Sequence, residues 1–112
     1  MPQGLRSVRR FFDATTLATL RELPSDTALE RIAIAAKADS TYRPVKQRSS
    51  RRWHVLTACG EFEILTTGTK WYDTRARKGG GGAIDLAMHV LQLSFVDAVR
   101  RLIGQDHGAD HP

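Results

Sequence analysis

The sequence predicts an α+β fold with N-terminal helices, a three-stranded antiparallel meander and two C-terminal helices. Three observations predict it. Apolar residues recur at helical spacing on both sides of the chain's middle. The middle itself holds short aromatic and β-branched runs broken at glycines. And 112 residues, 41% of them hydrophobic, suit one compact domain with a real core.

Taking the elements in order, residues 1–14 are basic and then aromatic (Arg6, Arg9, Arg10, Phe11, Phe12), a segment suited to an arm or a docking piece. A short helix is expected from Thr15 to Leu23, with Leu17 and Leu20 on one face and Pro24 ending it. Ser25 or Asp26 can cap a second helix over 26–38, where Leu29, Ile32, Ala33 and Ala36 form the buried stripe. Residues 39–52 lack periodicity, carry Pro44 and read as a basic loop. Three strands follow: Trp53–Thr57, Glu61–Thr66 and Thr69–Asp73, separated near Gly60 and Gly68. Phe62 and Ile64 alternate with Glu61 and Glu63, as a strand with one dry and one wet face requires. After the glycine run, Ile84, Ala87, Met88 and Leu91 mark a third helix. Ser94-Phe95-Val96-Asp97 resembles a capping box opening a fourth, in which Phe95, Val99 and Leu102 are buried. Gly104 is the expected stop, and the polar residues 105–112 are an expected disordered tail. The divisions are an arm with a short helix (1–25), a folded unit (26–104) and that tail.

Seventeen Lys and Arg against twelve Asp and Glu give a formal charge of +5, which favours polyanions as partners. The cations are clustered. Arg43, Lys46, Arg48, Arg51 and Arg52 form one acid-free run, and Arg75, Arg77 and Lys78 another. Either could equally be a solvated face. A single cysteine, Cys59, allows no intramolecular disulfide. No apolar run approaches the ~20 residues of a membrane span, so a cytoplasmic protein without membrane contact is expected.

Four successive glycines, Gly79, Gly80, Gly81 and Gly82, lead into the third helix. Glycine loses more backbone freedom on folding than any other residue, so the run needs a reason. One is an anion-binding nest of N–H groups at the helix N-terminus, with Arg75, Arg77 and Lys78 beside it. The other is a tight strand-to-helix turn packing under the sheet. The two are compatible. The run lacks the Gly-Lys-Ser/Thr ending of a Walker A loop and the βαβ setting of a dinucleotide fold, which disfavours NTP hydrolysis.

Trp53, Trp71 and Tyr72 fall on strands beside basic residues, the mixture that stacks bases while holding phosphates, although core burial suits the tryptophans as well. Of adjacent Trp71 and Tyr72, one must face outward. The candidate nucleic-acid contacts are therefore Arg51, Arg52, Lys70, Trp71, Arg75, Arg77, Lys78 and Gly79–Gly82. Metal ligands are sparse: His54 with Cys59, and His107 with His111, but no set of four. His89 reads as a surface or packing residue. No metal and no cofactor are expected. Asp73 and Asp85 flank the glycines without a nucleophile beside them, so no catalytic role is assigned.

The stretches Thr69-Lys70-Trp71-Tyr72-Asp73, Lys78-Gly79-Gly80-Gly81-Gly82-Ala83-Ile84-Asp85-Leu86-Ala87-Met88-His89 and Ser94-Phe95-Val96-Asp97-Ala98-Val99 together resemble the second half of the primase zinc-ribbon domain. They look closer still to the Toprim-associated primase-like modules of plasmids and integrative elements. The resemblance covers about residues 26–104. Thr74 and Arg77 stand where zinc-binding relatives carry Cys-x-x-Cys, and the upstream Cys-x-x-His pair is missing between Lys46 and Trp53. The resemblance thus implies a degenerate ribbon without zinc, held by packing. Burial of Trp53, Phe62, Trp71 and Phe95 can contribute about 1.5–3 kcal/mol each. It implies non-enzymatic binding of nucleic acid, single-stranded DNA favoured, in replication or transfer of a mobile element. The alternative is a module that docks on, or inhibits, a nucleic-acid-processing or host-defence complex.

Overall fold

The structure, a computed structural model, describes residues 12–46 and 48–108. It is α+β, with four helices and one five-stranded antiparallel sheet among those residues. Helices α1 (Ala14–Arg21) and α2 (Ser25–Ile32) precede strands β1 (Ala35–Ala38), β2 (Arg51–Thr57), β3 (Gly60–Thr67), β4 (Lys70–Asp73) and β5 (Lys78–Gly81). Helices α3 (Ala83–Leu91) and α4 (Phe95–Gly108) close the chain. Strand order follows chain order, β1-β2-β3-β4-β5, so the sheet is an uncrossed meander.

The three expected strands are its centre, and two further strands flank them. The first lies where the helix over 26–38 was expected. That helix ends at Ile32; Ala33 is extended, Ile34 N–H donates to Leu56 O at 2.8 Å, and Asp39 N–H donates to Arg52 O at 2.8 Å. Alanine favours helix in isolation, but pairing with the otherwise bare edge of β2 wins here. Small Ala36 and Ala38 sit opposite bulky Val55 and Trp53. The expected cap at Ser25 or Asp26 also fails: Pro24 is the cap residue, without a side-chain bond. Buried Ser25 instead ties α2 to the β3–β4 turn, its N–H donating to Gly68 O at 2.8 Å and its hydroxyl to Lys70 O at 3.3 Å.

Strand alternation sends Trp53, Val55, Thr57, Ile64, Thr66, Trp71 and Asp73 to one face. There they are covered by the helices, whose Leu29, Ile32, Leu86, Val90, Val99 and Leu102 fill the core. Asp26 joins this core to α2: its Oδ1 accepts from Trp53 Nε1 at 2.9 Å and from the Thr66 hydroxyl. Ser94 caps α4 as expected, Asp97 N–H donating to Ser94 Oγ at 3.2 Å. Gly104 does not stop that helix, which continues to Gly108, four residues into the expected tail. Phe12 is buried in the core. The rest of the expected arm up to Phe11, and residues 109–112 of the tail, lie outside the described residues.

Candidate nucleic-acid interface

The other face of the sheet is the open one, and register fixes its rows. Arg52, Leu65, Tyr72 and Gly79 stand side by side across β2–β5, and Thr67, Lys70 and Gly81 form the next row across β3–β5. Tyr72 is 41% exposed, whereas Trp71 is 3% exposed on the covered face. This corrects the assignment of Trp71 as a nucleic-acid contact: the residue available to stack is its neighbour. Trp71 is held by packing alone, since its Nε1 has no hydrogen-bond partner. It stacks on the His89 ring with centroids 4.9 Å apart.

The glycine run is not the expected nest. Gly79, Gly80 and Gly81 are extended and pair with Tyr72, Trp71 and Lys70 as an edge strand; of the run, only Gly82 has positive φ, at 91°. The packing reading applies at Gly80, where a Cβ would overlap Asp85 Oδ2 and come within 2.7 Å of Trp71 Cζ2. At Gly79 a Cβ would meet Tyr72 Cδ1 at 3.1 Å, so the tyrosine ring lies down against this bare strand. The donor expected to face a phosphate is also taken: Gly81 N–H donates to Asp85 Oδ2 at 3.3 Å. A carboxylate of this chain stands at the head of α3, where it suits the helix dipole.

The basic candidates separate into two groups. Arg51 and Lys70 lie at one end of the sheet, with the 39–50 loop carrying Arg43, Lys46 and Arg48 between β1 and β2. Arg75, Arg77 and Lys78 lie at the other end, around the β4–β5 turn. From Lys70 to Thr74 the chain rises about 13 Å at ~3.3 Å per residue. Arg51 is exposed and 3.8 Å from Asp26. Arg52 is committed elsewhere, which corrects its assignment as a phosphate contact. Its Nη2 and Nε donate to Asp39 Oδ2 at 2.6 and 3.0 Å, Glu63 lies at 3.8 Å, and its guanidinium covers the Tyr42 ring. Bonds from the Thr41 hydroxyl and then from Arg52 hold the Asp39 carboxyl far below the usual carboxylate range. On β1–β3 the cations of the open face are thus balanced by acids. The open positions of β4 and β5 carry Lys70, Tyr72 and glycine, and no acid.

One arrangement was not legible in the sequence. Asp73, 2% exposed, receives His89 Nε2 on Oδ2 at 2.7 Å. Its Oδ1 receives Arg75 N–H at 2.9 Å and Ala76 N–H at 3.0 Å. Burial drives the Asp73 pKa upward, but the Ala76 N–H, His89 and the Arg75 N–H outweigh it and hold the carboxyl below its ordinary value. Only the i, i+16 placement of Asp and His on elements that come together could have signalled the pair. His54 and Cys59, one of the two possible ligand pairs in the sequence, diverge: His54 faces Asp39 at 3.4 Å, and Cys59 Sγ donates to Leu91 O at 3.2 Å. Among the described residues no group of three or more His, Cys, Asp or Glu could hold a metal ion, and no helix is long and apolar enough to cross a membrane. Comparison with protein-family models, with curated proteins and with solved structures gave no match for this chain.

Proposed function

We propose that the chain binds single-stranded nucleic acid along the open face of β4 and β5, without catalysis. In this reading Tyr72 stacks on a base, while Lys70 at one end and Arg75 and Arg77 at the other hold phosphates. Lys78, the cross-strand partner of inward-facing Asp73, lies on the α3 side of the sheet, which corrects its assignment as a contact on this face. The observation that carries it is the acid-free strip itself: one half-exposed tyrosine lying on a side-chain-free strand, between two basic ends. A span of about 13 Å accommodates about four nucleotides at ~3.4 Å per stacked step, and fewer in an extended strand. Stacking on a lone aromatic requires an unpaired base, which favours single strands over duplex. The resemblance to primase-type ribbons adds DNA as the preferred polymer and a mobile element's replication or transfer as the setting.

The test is fluorescence anisotropy with short labelled oligothymidine at low and moderate salt. Tyr72→Ala is expected to cost about 1–3 kcal/mol of binding, the worth of one stacked base, leaving the salt slope unchanged. Lys70→Ala should instead flatten the slope by about 0.7, the effect of one phosphate on a single strand. Absence of binding by the wild-type chain at low salt would sink the reading.

A second reading, docking on a protein partner, is favoured by a different edge. Ile34 and Leu56, 67% and 41% exposed, are adjacent beside β1, at the far side of the sheet from β5. Capture from nuclease-treated lysate that disappears in Ile34→Asp but persists in Tyr72→Ala would favour it.

A further inference from the structure

We infer that Asp73 and His89 are a positioning pair that fixes the basic turn 74–77 in one conformation for contact with a nucleic-acid backbone. The inference rests on the proposed role of that turn and adds residues that touch no ligand. A four-residue connection carrying Arg75 and Arg77 would ordinarily sample many shapes, and a cation without a fixed position binds phosphate only after losing that freedom. Here the shape is imposed from the buried side. Asp73 Oδ1 gathers the N–H groups of Arg75 and Ala76, and Arg77 follows in the left-handed region at φ 57°.

That carboxylate oxygen can do this only while its partner oxygen is satisfied, because Asp73 is almost wholly buried. His89 Nε2 satisfies it. The imidazole is itself held flat against Trp71 and edge-on to Phe62, with centroids 4.9 and 6.0 Å away. The chain of support therefore runs from α3, through a stacked ring and a shared carboxylate, into the backbone of the turn. Thr74 anchors the turn's first residue separately, its N–H donating to Glu63 O at 3.1 Å and its hydroxyl to Glu63 Oε1 at 2.9 Å. Loss of His89 should consequently free Arg75 and Ala76 while Thr74 stays.

The experiment uses the full chain with His89→Leu, which keeps an apolar filler, and His89→Gln, which can return a donor near Nε2. Amide hydrogen exchange is read residue by residue, and oligothymidine binding is read by anisotropy in wild-type and Arg75→Ala/Arg77→Ala backgrounds. In His89→Leu, exchange at Arg75 and Ala76 should accelerate while β2 and β3 keep their protection. The salt slope should flatten by about 0.7 for each phosphate that the loosened turn no longer holds, and His89→Gln should restore both readouts. In the double-alanine background His89→Leu should weaken binding no further. Unchanged exchange at Arg75 and Ala76, or an equal weakening of binding in both backgrounds, overturns the inference. If the double-alanine chain binds like wild type, the backbone-contact role of the turn fails by itself, and the exchange data then report a structural pair only.

Discussion

Replacing Gly80 by alanine separates the two reasons for the glycine run. The new Cβ would overlap Asp85 Oδ2 and lie 2.7 and 2.9 Å from Trp71 Cζ2 and Cε2. Asp85 is exposed and can swing away, at the cost of its bond from Gly81 N–H, worth about 0.5–1.5 kcal/mol. Trp71 has no such freedom, because its other face is stacked on His89. Overpacking of this kind costs about 1–3 kcal/mol. The conformational entropy gained by exchanging Gly for Ala in a strand offsets about 0.5–1 kcal/mol. The net is a loss of about 2 kcal/mol, which at about 4–8 °C per kcal/mol lowers Tm by roughly 10 °C. The internal control is the next residue. Gly81 has nothing within 4 Å of its Cβ position and lies outside the positive-φ region, so Gly81→Ala should not destabilise the fold and should raise stability by up to about 1 kcal/mol. Thermal unfolding by circular dichroism reads both. Equal melting of Gly80→Ala and wild type, or an equal drop in the two variants, would refute the packing account.

The core, the acid limb and the metal question each give a further outcome. Asp26→Ala removes the acceptor of Trp53 Nε1 and the Thr66 hydroxyl and should cost about 1–3 kcal/mol in urea unfolding; Asp26→Asn, which keeps one oxygen, should cost less. The Asp73 carboxyl lies below its ordinary value in the folded chain. Its contribution is therefore present above the unfolded pKa of about 4 and is lost as pH falls through the lower folded value. Melting temperature followed against pH should fall less steeply below about pH 4 in Asp73→Asn than in wild type. Excess chelator should leave Tm unchanged and elemental analysis should find no stoichiometric zinc; a large drop reversed by added zinc would show a site that the described residues do not reveal.

How much of the fold was legible follows from where periodicity and pairing agree. The strands around Val55, Ile64 and Trp71 and the helices around Leu86 and Val99 carry their burial pattern in their own sequences, so each could be read locally. The alanines at 35, 36 and 38 could not. Their spacing fits a helix, and only the exposed edge of β2, formed by residues much later in the chain, makes a strand of them. The glycine run failed for a related reason. An extended KGGG segment has no alternating side chains to reveal a strand, and its partner β4 becomes apparent only through register.

Site residues divide along the same line. Tyr72 and Lys70 could be placed outward from alternation once β4 was recognised, and the structure puts both on the open face. Arg52 has the same chemistry in the sequence as Arg51, yet one is tied to Asp39 and the other is not. That difference is set by a loop folding back from residue 39, which no local pattern encodes. The Asp73–His89 contact is the extreme case, since nothing in the local pattern around either residue points to the other and their meeting depends on α3 crossing the covered face above β4. A charge cluster in a sequence therefore indicates only that cations are near one another along the chain. Whether one of them can reach a phosphate depends on which acids the fold brings to it. On β4 and β5 the fold brings none to the open face: Asp73 is turned inward to His89, and Asp85 is drawn to the head of its own helix.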